Sequence, residues 1–179
     1  VTESAAGAAS QGGVVYRSKQ SRMFFQLERG VTAHTSPGEI EEHIRKYMWF
    51  ENEAPILKRI YTDHPRIQGV VGGILGENTE LYQSMALVKP AKIGIDKPWH
   101  QDNAYFSVAN LDDVLGTWIA LDDSTVENGC MHFIPGGHKS GPLRHHHTYD
   151  CEIVEDRIDT SKAEAIELKA GGIILFHGN

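Results

Sequence analysis

One short run in the sequence brings together side chains that could bind a metal ion. His100 and Asp102 are separated by a single residue, Gln101. On a strand, residues i and i+2 point to the same face, so an imidazole and a carboxylate would lie side by side. Such a pair would supply two ligands of a 2-His-1-carboxylate site, which holds non-haem Fe(II) and leaves coordination positions open. Because the chain has ten histidines, this spacing also arises by chance, and an exposed pair at a strand end stays the alternative.

Other histidines and the two cysteines have interpretations that need no metal. His132 is predicted to face the interior of a barrel, and the histidine tract 145–147 to form a loop near the mouth of a site, since loops carry substrate contacts. The acidic run 150–159 is predicted to be a solvated loop. Two cysteines make no disulfide framework, so Cys130 and Cys151 are expected to be free thiols, with Cys130 buried and inert.

The elements that must position these residues begin with a helical region, predicted over residues 36–76. Ser36 and Glu39 have the spacing of a capping box, with Pro37 at the first helical position. Gly76 is predicted to end the region. Apolar residues at helical spacing form three stripes: Ile40, Ile44, Tyr47 and Met48; Ile56, Leu57, Ile60 and Tyr61; Ile67, Val70, Val71, Ile74 and Leu75.

After this region the apolar period changes from helical to alternating, which predicts short strands. The strands are expected at residues 80–89, 103–109, 114–121, 130–134, 165–169 and 172–176. Turn residues separate them, including Asn128-Gly129, which is typical of a hairpin. Helices followed by short strands predict an α+β chain, mainly β, whose β part suits a sandwich or jelly-roll barrel.

The composition limits the classes to which the protein could belong. Its 179 residues fit one domain, predicted over residues 14–179 with a helical part at 36–76 and a β part at 80–179, after a flexible arm at 1–13. A net charge of −7 argues against a nucleic-acid partner, and no apolar run predicts a membrane span. No signal peptide is recognised, so a cytoplasmic location is expected. The missing initiator Met and the last residues, which run straight out of an apolar stretch, predict that the chain is a fragment. Truncation is expected at its C-terminus.

Several motifs in the same order resemble those of the phytanoyl-CoA dioxygenase family. Residues 100–106 resemble the H-Q-D-x-x-Y-F signature of that family, and residues 85–90 are similar to its M-x-x-x-K-P strand. Further on, residues 118–123, 127–131, 134–138 and 171–177 resemble the W-x-A-L-x-D, N-G-C, I-P-G-S-H and G-D-x-x-x-F-H runs. Gly137 and Gly172 depart from the pattern, which has Ser and Asp there. The resemblance covers residues 81–179.

This resemblance implies an Fe(II)- and 2-oxoglutarate-dependent oxygenase on a double-stranded β-helix, a jelly roll with helices packed on it. By the family's pattern, His100 and Asp102 bind iron, while Met85, Gln101 and Trp118 contact the cosubstrate oxoglutarate. Gln101 offers an amide to an oxoglutarate oxygen, and Met85 and Trp118 would supply an apolar wall. Core packing of Met85 and Trp118, and a Gln101 that faces away from the metal, are the alternatives.

The third iron ligand is harder to assign. In the family it is a histidine a few residues after the F-H strand, followed by an Arg that binds the distal carboxylate of oxoglutarate. His177 matches the family's earlier histidine at the strand end, so we expect it to support the site or pack beside it, and a ligand role is the alternative. His138 is likewise expected to have a structural role. The ligand and the Arg are expected beyond Asn179.

Three functional hypotheses follow. The first is an Fe(II) dioxygenase that uses O2 and oxoglutarate to hydroxylate a small organic molecule and releases succinate and CO2. The second is a catalytically inactive relative that acts as a binding or regulatory protein, which would explain the absence of the second histidine and the Arg. The third is a jelly-roll metal hydrolase such as a zinc enzyme, which needs three protein ligands and an open position. No residue pattern identifies the substrate.

Overall fold

The computed structural model describes residues 2–3, 15–28, 31, 36–147, 150–154, 156 and 158–179. The chain divides into two compact units, residues 1–95 and 96–179, and each unit is described by itself. The single domain over residues 14–179 stays a prediction. The predicted arm over residues 1–13 lies outside the described residues except for Thr2–Glu3, which form a short strand.

A five-stranded antiparallel sheet, whose strands follow one another in chain order, forms the basis of the first unit. The strands are β1 (Thr2–Glu3), β2 (Val15–Arg17), β3 (Phe24–Leu27), β4 (Ile44–Met48) and β5 (Met85–Leu87). Phe25 lies opposite Tyr16 on one side and Tyr47 on the other, and cross-strand aromatic neighbours of this kind stabilise a sheet. Leu27 and Ile44 lie in the buried cluster against which these rings pack.

Three helices accompany this sheet: α1 (Pro37–Glu42), α2 (Pro55–Asp63) and α3 (Pro65–Leu75). The predicted capping box forms at the start of α1. The Glu39 backbone N–H donates to Ser36 Oγ at 3.4 Å, and the Ser36 backbone N–H donates to the Glu39 carboxylate at 2.9 Å. None of the described helices is both long and apolar enough to cross a bilayer.

The prediction of a helical region over residues 36–76 is wrong at residues 44–48, which form strand β4. Ile44 and Met48 are four residues apart, a spacing that fits one face of a helix and equally one face of a strand. Both side chains are buried. Because β4 lies between β3 and β5, its neighbours accept and donate the backbone hydrogen bonds that a helix would make internally.

Three two-stranded antiparallel ribbons make up the strands of the second unit. They pair β6 (Leu115–Ile119) with β11 (Ile173–His177), β7 (Met131–Phe133) with β10 (Glu164–Ile166), and β8 (His145–His147) with β9 (Cys151–Ile153). Short 3-10 helices span Asp102–Tyr105, Leu111–Asp113, Gly137–Ser140 and Thr160–Lys162. Over the described residues the strands close no barrel, and the fold is mixed α/β with mostly strands.

Four sequence predictions for the second unit are wrong. Residues 103–109 form no strand, because the chain turns into a 3-10 helix there. The histidine tract forms β8 rather than a loop. The run 150–159 contains strand β9, and its Asp150 is buried rather than solvated. His132 is exposed on β7 instead of facing an interior. The two cysteines are free and buried, as expected.

A close approach of backbone and ring shapes the ribbon of β6 and β11. Gly116 lies opposite Phe176, and a Cβ at Gly116 would stand 2.3 Å from the Phe176 ring. Only glycine leaves room for this ring on the ribbon. The same ring is 5.0 Å from that of Phe133, measured between centroids. Trp118 is two residues from Gly116 and therefore shares its face of the ribbon.

Candidate metal centre

His100 and Asp102 lie side by side, although their run is not part of a strand. The backbone of Gln101 between them is extended, with φ −110° and ψ 132°, so the two flanking side chains project to the same side. His100 Nε2 is 3.3 Å from Asp102 Oδ1, and the side chains are 24% and 31% exposed. A metal ion could therefore reach the pair from solvent.

The orientation of the His100 ring is fixed by its other nitrogen. Its Nδ1–H donates to the Pro98 carbonyl at 2.8 Å, because a carbonyl oxygen can only accept. In the neutral ring, Nε2 then presents a lone pair to the Asp102 carboxylate, an arrangement that a shared cation stabilises. Imidazole nitrogen and carboxylate oxygen suit Fe(II), and metal-bound histidines commonly donate their second N–H to a carbonyl. The donor set therefore fits a metal ion.

Gln101 points away from this pair and holds a neighbouring loop. The residue is 7% exposed. Its Nε2 donates to the Gly141 carbonyl at 3.0 Å, and its Oε1 accepts from the Leu143 N–H at 2.7 Å. These bonds match the alternative in which Gln101 faces away from the metal. The assignment of Gln101 to oxoglutarate stays a prediction.

His145, on strand β8, makes hydrogen bonds to Gln101 and Leu143, a role that the sequence analysis did not predict. Its Nε2 accepts from the Gln101 backbone N–H at 3.0 Å, and its Nδ1–H donates to the Leu143 carbonyl at 2.9 Å. Burial lowers the pKa of His145, and the nearby His100 lowers it further. A neutral ring with one defined tautomer results. The tract of three histidines carried no signal for this contact, since it depends on how β8 pairs with β9.

Beside the His100 ring lies a second group of polar side chains. The Tyr105 ring packs edge-to-face against the His100 ring, with centroids 5.9 Å apart and an angle of 82° between the planes. The Tyr105 hydroxyl accepts from Lys97 Nζ and from the Cys151 backbone N–H, each at 3.2 Å. Lys97 also pairs with the buried Asp150 carboxylate. Burial raises the pKa of the Tyr105 hydroxyl, so the phenol stays neutral at physiological pH. Only Tyr105 belongs to a motif recognised in the sequence.

The two apolar residues assigned to oxoglutarate lie in different units. Trp118 is half-buried on β6, opposite Ile174 of β11. Met85 is on β5 of the first unit, opposite Met48, and is 41% exposed. Their contacts with oxoglutarate, like the metal-binding roles of His100 and Asp102, stay predictions.

His177 is the alternative third iron ligand of the sequence analysis. Both of its ring nitrogens make contacts with other protein atoms. Its Nε2 lies 3.1 Å from Asp112 Oδ1, and its Nδ1 accepts from the Asn179 N–H at 2.9 Å. The ring stacks on that of His138, with centroids 5.1 Å apart. This geometry agrees with the expected supporting role. Within the described part of the chain, no three His, Cys, Asp or Glu side chains gather to hold a metal ion.

Comparison with known families and proteins gives a consistent result. The sequence model of the family described as Phytanoyl-CoA dioxygenase (PhyH) matches residues 8–179. A phytanoyl-CoA dioxygenase domain-containing protein 1 homolog of Caenorhabditis briggsae is 34% identical over 135 residues, which cover 69% of this chain and 46% of that protein. A phytanoyl-CoA dioxygenase domain-containing protein 1 of Danio rerio is 33% identical over 132 residues, which cover 69% of this chain and 45% of that protein.

A plant relative extends the similarity. A phytanoyl-CoA dioxygenase of Arabidopsis thaliana is 41% identical over 101 residues, which cover 54% of this chain and 35% of that protein. The chain spans less than half the length of each of these curated relatives.

Proposed function

The chain belongs to the phytanoyl-CoA dioxygenase family, and from this premise we propose that it is an Fe(II)- and 2-oxoglutarate-dependent dioxygenase. The proposed reaction couples oxidation of oxoglutarate to succinate and CO2 with hydroxylation of a small organic substrate by O2. Dioxygenase names among the relatives support this class of reaction. A jelly-roll arrangement of the β part is part of the same proposal.

The observation that carries the proposal is the facing pair of His100 Nε2 and Asp102 Oδ1, 3.3 Å apart. When bound there, Fe(II) would supply the activation of O2, a chemistry that amino-acid side chains do not provide. His100 and Asp102 would hold the ion, and the Pro98 carbonyl keeps the His100 lone pair aimed at it. The Tyr105 ring shields the imidazole from water on one side.

Oxoglutarate would complete the site with two of its oxygens. We assign its contacts to Met85, Gln101 and Trp118, as the resemblance implies, and the third iron ligand to a further histidine rather than to His177. The Gln101 amide already bonds the loop at Gly141 and Leu143. Its contribution to oxoglutarate is therefore proposed through the second amide proton, with the loop bonds retained.

The test is succinate formation with Fe(II) and oxoglutarate by the full-length protein, extended past Asn179, compared between the wild type and Asp102→Asn. The substitution keeps the shape of the side chain and removes its charge. We expect turnover and Fe(II) affinity to fall by at least about 100-fold, because loss of a direct ligand should exceed the 10- to 100-fold effect of residues that only support the ligands. Asp122→Asn, at an exposed carboxylate of the same unit, is the matched control and should leave both quantities unchanged.

Two outcomes would favour the other hypotheses. No succinate from the wild type with Fe(II) bound would contradict the dioxygenase and favour a binding or regulatory protein. Equal succinate formation by wild type and Asp102→Asn would instead contradict the ligand role of Asp102. Metal analysis of anaerobically purified protein that finds zinc instead of iron would favour a hydrolase.

A further inference from the structure

We propose that Asn103 and His177 are positioning residues that lock the metal-ligand turn to the end of strand β11. The inference rests on the proposed function, because it concerns how the chain presents Asp102 to a metal ion. Its basis is a set of hydrogen bonds that joins two motifs: Asn103 occupies one of the two variable positions of the H-Q-D-x-x-Y-F signature, and His177 is the last residue of the G-D-x-x-x-F-H run. We call this set, formed by Asn103, Leu111, Asp112, His177 and Asn179, the Asn103–His177 network.

Asn103 holds two other segments to the turn. The residue directly follows Asp102 and is 7% exposed. Its backbone N–H donates to the Gly178 carbonyl at 2.8 Å. Its side-chain Nδ2 donates to the Leu111 carbonyl at 3.1 Å and to Asn179 Oδ1 at 2.9 Å. One residue therefore connects the 3-10 helix that begins at Asp102, the next 3-10 helix along the chain, and the residues that follow β11.

His177 closes the network from the other end. Since its Nδ1 accepts from the Asn179 N–H at 2.9 Å, that nitrogen carries no proton in the neutral ring. The proton is then on Nε2, which donates to Asp112 Oδ1 at 3.1 Å. Asp112 follows Leu111, the residue whose carbonyl accepts from Asn103. The hydrogen bonds therefore form a closed set that begins and ends at Asn103. In this geometry both ring nitrogens of His177 bond to protein atoms and neither is left for a metal ion.

Gly178 shows how closely the two segments approach. A Cβ at this position would stand 2.4 Å from Asn103 Oδ1 and 2.7 Å from its Cγ. These distances are far below van der Waals contact, and Gly178 itself is buried. The end of β11 can therefore reach the metal-ligand turn only where residue 178 has no side chain.

The consequence for the metal site follows from the peptide that joins Asp102 and Asn103. Its N–H is fixed on the Gly178 carbonyl, and the direction of the Asp102 carboxylate depends on that peptide. Loss of the network would let the turn rotate and separate Asp102 Oδ1 from His100 Nε2. Residues that orient metal ligands typically change metal affinity by about 10- to 100-fold. We expect about 10-fold here, because Asn103 acts through the backbone.

The experiment measures binding of Mn(II), an air-stable probe for an Fe(II) site, by the electron paramagnetic resonance signal of the free ion. The variants are Asn103→Leu, which keeps the side-chain size and removes both donors, and His177→Phe, which keeps the ring stacked on His138. Asn128→Leu is the matched control, because Asn128 also makes two side-chain hydrogen bonds, to the Asp123 carbonyl and from the Thr125 N–H, in another loop. Thermal unfolding is recorded for each variant.

We expect the Mn(II) Kd to rise about 10-fold in Asn103→Leu, and by less in His177→Phe. The Asn128→Leu variant should lose thermal stability and keep its Mn(II) affinity. A double variant of Asn103 and His177 should bind as Asn103→Leu does, because both changes break one network. Unchanged affinity in Asn103→Leu, or equal losses in the control, would overturn the inference.

A metal-free readout separates this inference from the proposed function. Hydrogen exchange of the Asn103 amide, measured without metal, should become faster in His177→Phe than in the wild type if the network holds the turn. Unchanged exchange overturns the network itself. A wild-type protein that binds no Mn(II) while its Asn103 amide is protected contradicts the metal site, and with it the positioning role. Should His177→Phe fail to fold, His177→Gln, which loses the Nδ1 acceptor, replaces it in both measurements.

Discussion

Each of the two units is stabilised internally by a different kind of interaction. In the first, five strands form one continuous antiparallel ladder beside a buried apolar cluster that contains Leu27 and Ile44. The second has three short ribbons and 3-10 turns, tied by bonds from side chains such as those of Gln101 and Asn103 to the backbone. The candidate ligands lie in the second unit, where single side chains rather than a ladder set the path of the backbone.

Leu27→Ala tests the apolar half of this comparison and should have the largest effect. Leu27 is fully buried, and truncation of a buried Leu costs about 2–5 kcal/mol of unfolding free energy through lost burial and the cavity left behind. Leu81→Ala, in the same unit but 44% exposed, should cost much less. The measurement is chemical denaturation of both variants. Equal costs would show that the cluster around Leu27 does not dominate the stability of the first unit.

Gln101→Leu tests the hydrogen bonds of the second unit and should have an intermediate effect on the free energy of unfolding. Leucine fills the space but leaves the Gly141 carbonyl and the Leu143 N–H without their partner. Because both residues are only half-buried, we expect a total cost of about 1–3 kcal/mol of unfolding free energy. The control is Gln68→Leu on α3, which removes one exposed hydrogen bond to the Tyr61 carbonyl of α2 and should change stability by less than about 0.5 kcal/mol.

The same Gln101 variant distinguishes the two roles weighed for this residue. If Gln101 only holds the loop, stability falls and the KM for oxoglutarate is unchanged. If it also contacts oxoglutarate, the KM rises as well. An unchanged stability would show that the Gln101 side-chain hydrogen bonds do not hold the loop at Gly141 and Leu143.

The pH dependence contributed by Cys151 should be the smallest effect. Burial raises the pKa of its thiol, so the folded protein keeps the thiol protonated where the unfolded chain ionises. The stabilising contribution is therefore complete below the unfolded pKa of about 8.5 and is lost as pH rises above it. Between pH 8 and 9.5 the wild-type Tm should fall more steeply than that of Cys151→Ala. Parallel curves would show that the thiol titrates equally in both states.

Sequence patterns located five of the eleven described strands, namely β5, β6, β7, β10 and β11, and predicted β4 of the first unit as helix. Strands predicted at residues 80–89, 114–121 and 130–134 are confirmed as shorter ones. The strands predicted at 165–169 and 172–176 are found with their first residues shifted by one, at Glu164–Ile166 and Ile173–His177. Strand β4 was predicted as helix because Ile44 and Met48 satisfy both periods. The choice between them depends on β3 and β5, which bond to β4 from both sides, and partners of this kind are not visible in a local pattern.

In the second unit the sequence failed where hydrogen bonds replace periodicity. Residues 103–109 are rich in β-forming types, but the Asn103 and Ala104 N–H groups donate to the Gly178 and Gln101 carbonyls and start a turn. The histidine tract was predicted as a loop because it lies in a segment rich in Pro and Gly, whereas its pairing with residues 151–153 is not visible in the local pattern. Partners distant in sequence decide both cases.

For the candidate site, the sequence predicted the ligand pair but not its supports. The alternation of side chains explains why His100 and Asp102 meet, and it holds because Gln101 is extended even outside a strand. His145 and Asn103 were missed, since their hydrogen bonds to Gln101 and Gly178 join segments that come together only in the folded chain. The metal-binding and oxoglutarate-binding roles themselves stay predictions.

Trp49, directly after β4, has a left-handed backbone with φ 56°, which costs about 1–2 kcal/mol for a residue with a side chain. The Arg22 guanidinium covers its ring at 4.5 Å from the centroid, and such contacts stabilise an exposed cation. The other two tryptophans, Trp99 and Trp118, belong to the second unit. With both replaced by Phe, the remaining indole emission would come from Trp49 alone and follow the melting of the first unit by fluorescence.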